Sequence, residues 1–325
     1  MPTLNIPRVP VGLGGRSADV ELVYETHGSL HDDGANCILL PTYYTGTHDS
    51  YRPWIGPGLP FDPDRWFVVV PNLIGNGLSR IRDSETGRAW DPVADPPVRV
   101  VDNVAVQRIL LGHLGIRKLA LVAGWSMGGL QAYQWAVSYP DLVEAFLPIC
   151  ASAQCWPLNF VFLEGLVPHL IRALRRPADA SSALADFGRA YAAWAFSAAY
   201  YGDELWRADS FHGLDDILDR WAEDHIAWNP ADLLTMLRTW QSANPRQPGL
   251  TIQDSLAAIT ARAVVMPCTT DMYFTLAENE KEVSWMPRAE LRPISSAYGH
   301  IAGRPGHLPK VTVHIRQAAH DLLTP

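Results

Sequence analysis

The chain has 325 residues, 48% of them hydrophobic, a formal net charge of −8 and no run of basic residues. That balance suits one large α/β domain or a core with an insert, and it argues against nucleic acid and anionic membrane surfaces as partners. No apolar stretch reaches membrane-spanning length, and the N-terminal residues lack the charged-then-apolar layout of a secretory signal. Taken in chain order, Val20–Glu25 alternates like a half-buried strand, while Cys37–Leu40 and Trp66–Val70 are continuous apolar runs that predict buried parallel strands. Helical spacing follows from Val98 to Leu114, with Val101, Val104, Ala105, Ile109, Leu110 and Leu114 on one broad face. Leu119–Ala123 predicts another strand, and a helical pattern runs from Leu130 to Tyr139. Ala145–Cys150, Ala263–Pro267 and Ala289–Ile294 predict the remaining strands. Alternating strands and helices imply a mostly parallel sheet with helices on both faces.

Between about 155 and 250 the strand signal stops, after roughly the sixth strand. Ala and aromatic residues at helical spacing (Phe187, Tyr191, Trp194, Ala195, Ala198) predict several helices, punctuated by Pro168, Pro177, Gly202, Gly213 and Pro230. The expected division is therefore a core of 1–154 and 251–325 with a helical lid over 155–250. Trp156, Phe160, Phe162, Trp194 and Trp228 in that segment could face a pocket or the core. Cys37, Cys150, Cys155 and Cys268 show no metal or redox spacing, so buried free thiols in a reducing, cytoplasmic setting are expected.

The chemistry concentrates in Gly124-Trp125-Ser126-Met127-Gly128, between the 119–123 strand and the 130–139 helix. A G-x-S-x-G turn from strand to helix is a nucleophile elbow, with a strained Ser held at the end of a strand. A Ser hydroxyl needs a base and an orienting carboxylate, which on such a sheet follow in the order acid, then His. Asp271 comes just after the strand at 263–267 and His300 just after the last one, at the same sheet edge as Ser126. Asp254 and Glu278 do not immediately follow buried strands. Among the other histidines, His307 lies in a Gly/Pro-rich loop and His314 and His320 in a C-terminal helical pattern. The oxyanion donors expected are the backbone N–H of Met127 and that of Tyr44, with Tyr43 the neighbouring alternative. Gly75-Asn76-Gly77 completes no dinucleotide fingerprint, and His31-Asp32-Asp33 and His48-Asp49 predict solvated loops rather than metal ligands. No cofactor is expected. Retention of Ser, Asp and His in order argues against a non-catalytic binding protein.

The elbow and its continuation, Gly124 through Asp141, resemble the homoserine O-acetyltransferase family of α/β hydrolases. Tyr24–Leu30, Thr45-Gly46-Thr47, Ile55–Gly58 and Phe67–Asn72 resemble further blocks of that family, so the likeness spans roughly 20–160 and weakens around Asp271 and His300. The resemblance implies an α/β-hydrolase fold with a mostly parallel central sheet, a Ser–Asp–His triad, a helical lid and a homodimer packed through lid helices. Two positions depart from it. Family transferases carry Asp directly after the catalytic His, where it helps hold the amino group of homoserine; here the residue is Ile301, which cannot pair with an ammonium group. The usual Gly before the Ser is Trp125. With Tyr43, Trp125 and Ile301 lining an apolar pocket, the expected activity is hydrolysis of small or medium apolar esters through an acyl-enzyme. The alternative is acyl transfer from acetyl-CoA or another thioester to an acceptor other than homoserine.

Overall fold

The computed structural model describes residues 1–324 and contains a single nine-stranded sheet. In chain order its elements are β1 (Thr3–Val11), β2 (Arg16–His27), β3 (Cys37–Leu39), β4 (Phe67–Pro71), β5 (Arg80–Asp83), α1 (Val100–His113), β6 (Leu119–Trp125), α2 (Met127–Ser138) and β7 (Ala145–Ile149). Five helices follow: α3 (Pro157–Arg175), α4 (Ala180–Ala195), α5 (Ala198–Gly202), α6 (Leu214–Ile226) and α7 (Pro230–Gln241). The chain closes with α8 (Ile252–Ala257), β8 (Arg262–Val265), α9 (Leu276–Val283), β9 (Ala289–Leu291) and α10 (Pro309–Leu323).

The strand order is β1-β2-β4-β3-β6-β7-β8-β9, with β5 paired to β2. From β4 to β9 all neighbours are parallel, and β2 joins β1, β4 and β5 antiparallel. Every residue of β3, β6 and β7 is buried, as strands covered on both faces require. Ile38 and Leu40 enter one apolar cluster and Cys37 and Leu39 the other, so alternation sends side chains to opposite sides of the sheet. The first cluster continues into α3, α4 and α7 through Phe162, Tyr191, Leu233 and Trp240. The helical segment thus shares a core with the sheet face beneath it. No helix among the described residues is long and apolar enough to cross a membrane.

Three expectations need correction. The helical segment follows the seventh strand rather than roughly the sixth, and the five strands named in the sequence before it lack β1 and β5. Pro7 and Pro10 mask β1, yet it is an edge strand, where a missing N–H is tolerated. The face expected of α1 is also rotated: Ile109 is 44% exposed, whereas Asn103 and Gln107 are buried. Both polar side chains are satisfied inside. Asn103 Oδ1 accepts from Ile74 N at 2.9 Å, and Gln107 accepts from Trp135 Nε1 at 2.8 Å and donates to Gln131 at 2.6 Å. Lastly, Cys155 is only partly buried, although all four thiols are free.

Candidate active site

Ser126 is the single residue between β6 and α2, with φ 56° and ψ −127°. A side chain pays for that conformation unless the surroundings fix it. They do: Ser126 N donates to Ile149 O at 2.9 Å, and Ser126 O accepts from Gly129 N at 2.8 Å and Leu130 N at 3.2 Å. The flanking glycines are required by contact. A Cβ on Gly124 would lie 2.4 Å from the Gly128 carbonyl carbon, and one on Gly128 would lie 2.5 Å from both Pro41 O and Tyr51 Oη.

The turn presents Ser126 Oγ 2.9 Å from His300 Nε2, and His300 Nδ1 is 2.8 Å from Asp271 Oδ2. All three residues are buried. Asp271 Oδ1 accepts from Tyr273 N at 2.8 Å and Phe274 N at 3.2 Å, which fixes the carboxylate plane. Thr270 joins the acid loop to the His loop. Its Oγ1 donates to Ser296 O at 2.8 Å and accepts from Gly299 N at 3.1 Å. Residues far apart in sequence therefore meet in the order a nucleophile, base and orienting acid require.

Met127 N–H lies at the positive end of α2. Among the described residues, it and the Tyr43 and Tyr44 N–H groups donate to no protein acceptor. The loop carrying the tyrosines is tied to the elbow by two side chains that the sequence did not single out. Tyr51 Oη donates to Pro41 O at 3.0 Å and accepts from Trp125 N at 3.1 Å. Gln131 Nε2 donates to Thr42 O at 2.8 Å and Met127 O at 3.1 Å.

A cavity of about 500 Å³ opens over Ser126. Tyr43, Tyr44, Trp125 and Ile301 line it from the core, and Tyr191 and Trp221 from the helical segment. Burial raises the phenol pKa of Tyr44, Tyr191 and Tyr273, which keeps this wall neutral. Of the five aromatics singled out between 155 and 250, only Trp228 reaches the cavity. Phe162 stacks on Tyr273 with Trp194 against it, Phe160 is exposed, and Trp156 Nε1 donates to Glu282 at 2.7 Å.

The competing residues have other work. Asp254 and Glu278 cap α8 and α9. His314 and His320 lie on α10. His307 also lines the cavity, with its ring against Tyr298. Glu25, His48 and Asp49 bring possible ligand atoms within 4.8 Å of one another. However, Arg52 bonds Glu25 at 2.8 Å and Asp49 at 2.6 Å. Asn72 Oδ1 accepts from His48 N and from Asn76, so its amide Nδ2 donates to His48 Nδ1 at 3.1 Å and leaves the proton of a neutral ring on Nε2. That is the wrong tautomer for a cation at this end of the ring.

The family description "alpha/beta hydrolase fold" matches residues 38–199. An ethyl acetate hydrolase from Pseudomonas veronii is 33% identical over 309 residues, covering 92% of this chain and 88% of the relative. A homoserine O-acetyltransferase from Thermobifida fusca is 30% identical over 329 residues, covering 90% and 86%. The solved structure of an acetylester hydrolase from Corynebacterium glutamicum superposes with a TM-score of 0.89 at 30% identity, over 100% of this chain and 96% of that one.

Proposed function

Because the chain belongs to the α/β-hydrolase fold family and is an esterase of that fold, we propose that it cleaves small to medium apolar carboxylic esters through an acyl-enzyme on Ser126. The observation that carries this reading is the continuous hydrogen-bond chain Ser126 Oγ–His300 Nε2 and His300 Nδ1–Asp271 Oδ2, at 2.9 and 2.8 Å. The Ser126 Oγ–H proton passes to His300 Nε2 as Oγ bonds the ester carbonyl carbon, and the carbonyl oxygen becomes an oxyanion. The N–H groups of Met127 and Tyr44 receive that oxyanion. Collapse expels the alkoxide, which takes the proton from His300 and leaves. Water then gives a proton to His300 and its oxygen to the acyl carbon, and the second collapse returns the proton to Ser126 Oγ and releases the acid. Asp271 holds the imidazole in the tautomer that can accept from Ser126 and stabilises its cation.

The cavity, at about 500 Å³, falls in the range of small-molecule sites, and the P. veronii relative is named for a small ester. The second reading, O-acyl transfer to a non-homoserine acceptor, is favoured by the T. fusca relative. Ile301, buried beside His300 and lining the cavity, weighs against an aminated acceptor. A fluorophosphonate should label the native protein and not a Ser126→Ala variant, and p-nitrophenyl acetate should turn over without an added alcohol. Labelling that survives in Ser126→Ala refutes the nucleophile. Turnover that stalls until an acceptor alcohol is supplied replaces hydrolysis by transfer.

A further inference from the structure

Trp125 occupies the place immediately before the proposed nucleophile, yet its side chain meets the proposed base twice. The indole and the His300 imidazole are stacked, centroids 4.8 Å apart and planes 26° from parallel. Trp125 Nε1 donates to the backbone carbonyl of His300 at 3.2 Å. Its own position is held twice more. Trp125 N donates to Tyr51 Oη at 3.1 Å, and the Tyr43 ring meets the indole edge-on at 4.6 Å. Around the imidazole, Tyr273 stands edge-on at 4.7 Å and Phe274 lies at 5.5 Å. Among the described residues, Asp271 is the one charged group bonded to the ring, through Nδ1.

We propose that Trp125 is a positioning residue for His300. Its Nε1–H fixes the backbone of the His loop, and its π face supports the ring in the plane that aims Nε2 at Ser126. A cation within about 6 Å of an indole face is attracted by the ring quadrupole. The same stack therefore favours the imidazolium formed as the Ser126 proton arrives, and does so more than it favours the neutral ring. That difference acts on the chemical step rather than on ground-state ester binding. Trp125 acts through His300 and is assigned no contact with the reacting atoms. The inference rests on the triad assignment made above for its kinetic part only; the stack itself is independent of the reaction.

The kinetic test compares Trp125→Phe, which keeps a π face, with Trp125→Leu, which does not. With p-nitrophenyl acetate, kcat is expected to fall about thirtyfold in Trp125→Leu, the size of a desolvated cation–π contact, with KM within about twofold. Trp125→Phe is expected to recover most of that loss. Trp125 lines the cavity as well, so a rise in KM at unchanged kcat would leave it a pocket wall and nothing more, and overturns the proposal. The second test needs no catalysis and uses indole emission, which a protonated imidazole in contact quenches. The native protein should lose a component of its tryptophan emission as the pH is lowered, over and above that of the stacked Trp221–His225 pair. That component should vanish in both Trp125→Phe and His300→Gln. If it persists in either variant, the stack is not the one described and the proposal fails. If fluorophosphonate labelling fails while the component behaves as expected, the nucleophile assignment is at fault and the Trp125–His300 pairing stands.

Discussion

Asp271→Asn should be far more damaging than the loss of one charge suggests, because the geometry dictates how the amide must sit. Asp271 Oδ1 accepts two backbone N–H groups, from Tyr273 at 2.8 Å and Phe274 at 3.2 Å, and Oδ2 faces His300 Nδ1 at 2.8 Å. An amide NH2 turned toward the two backbone donors would leave both unsatisfied in a buried site, at about 1–3 kcal/mol each. The amide oxygen therefore stays with the backbone, and the NH2 group points at His300 Nδ1. It can only donate there. Nδ1 must become an acceptor, the ring proton moves to Nε2, and Nε2 then donates to Ser126 Oγ instead of accepting from it. The base is present and in place, with the wrong tautomer. In Ser-His-Asp enzymes this change costs about 10⁴ in kcat, equivalent to about 5.4 kcal/mol of transition-state stabilisation. The assay is kcat and KM with p-nitrophenyl acetate, beside a melting curve to show that the variant is folded. A folded Asp271→Asn protein within tenfold of native kcat would refute the tautomer argument and the role given to Asp271.

Gly128→Ala places a Cβ 2.5 Å from Pro41 O and Tyr51 Oη, so the loop bearing Tyr43 and Tyr44 must move off the elbow. A loss of about 10² in kcat is expected, the cost of one oxyanion donor; kcat within threefold of native would show that the loop is not held by this contact. Glu282 is buried with no cation paired to it among the described residues, accepts from Ala153 N at 2.8 Å and Trp156 Nε1 at 2.7 Å, and is pushed by burial from 4.5 up to about 8. The folded carboxyl keeps its proton where the unfolded chain has lost it, so this group's contribution is full below 4.5 and falls by about 1.4 kcal/mol per pH unit toward pH 8. Glu282→Gln leaves one donor facing the new NH2 and is less stable at pH 5, and its deficit in urea denaturation should shrink steadily from pH 5 to 8. A deficit that stays constant with pH would sink the assignment.

The elbow was legible because three local signals agree at one point: the apolar strand 119–123, the Gly-x-Ser-x-Gly turn and the helical pattern behind it. Asp271 and His300 could be read from their positions just after strands, since a parallel sheet delivers all such loops to one edge. Tyr51 and Gln131 were not legible as loop anchors. A buried Tyr and Gln look the same in sequence whether they tie an oxyanion loop or fill a core. The residues of the helical segment that line the cavity were hidden for a related reason. Tyr191, which reaches the cavity, and Phe162, which packs behind it, have the same helical apolar pattern, and only the packing of α3 against α4 separates them. Glu282 could not be read as buried from the sequence, because its donors lie in the 153–156 connection, far away along the chain.

Hydrolysis and acyl transfer share the first half of the reaction, so the choice depends on whether water reaches the acyl-enzyme. A transferase must keep the acyl carbon dry until its acceptor binds. The cavity over Ser126 is apolar where Tyr43, Tyr44, Trp125 and Ile301 line it, but it also includes Asp209, Arg220, Asp224, Arg304 and His307. Arg304, Arg220 and Asp224 are exposed to solvent. Charged groups in a site this small hold water, because stripping it from them costs several kcal/mol unless they are paired. Arg220 and Asp224 are 3.5 Å apart, which offsets part of that cost, while Arg304 has no ion-pair partner among the described residues. Those charged side chains keep one end of the cavity open to solvent, and in the proposed reaction water enters from that end and passes its proton to His300. Ile301, where an Asp would follow His300, offers an aminated acceptor no carboxylate at that position, which is the physical reason the proposal places hydrolysis ahead of transfer to such an acceptor.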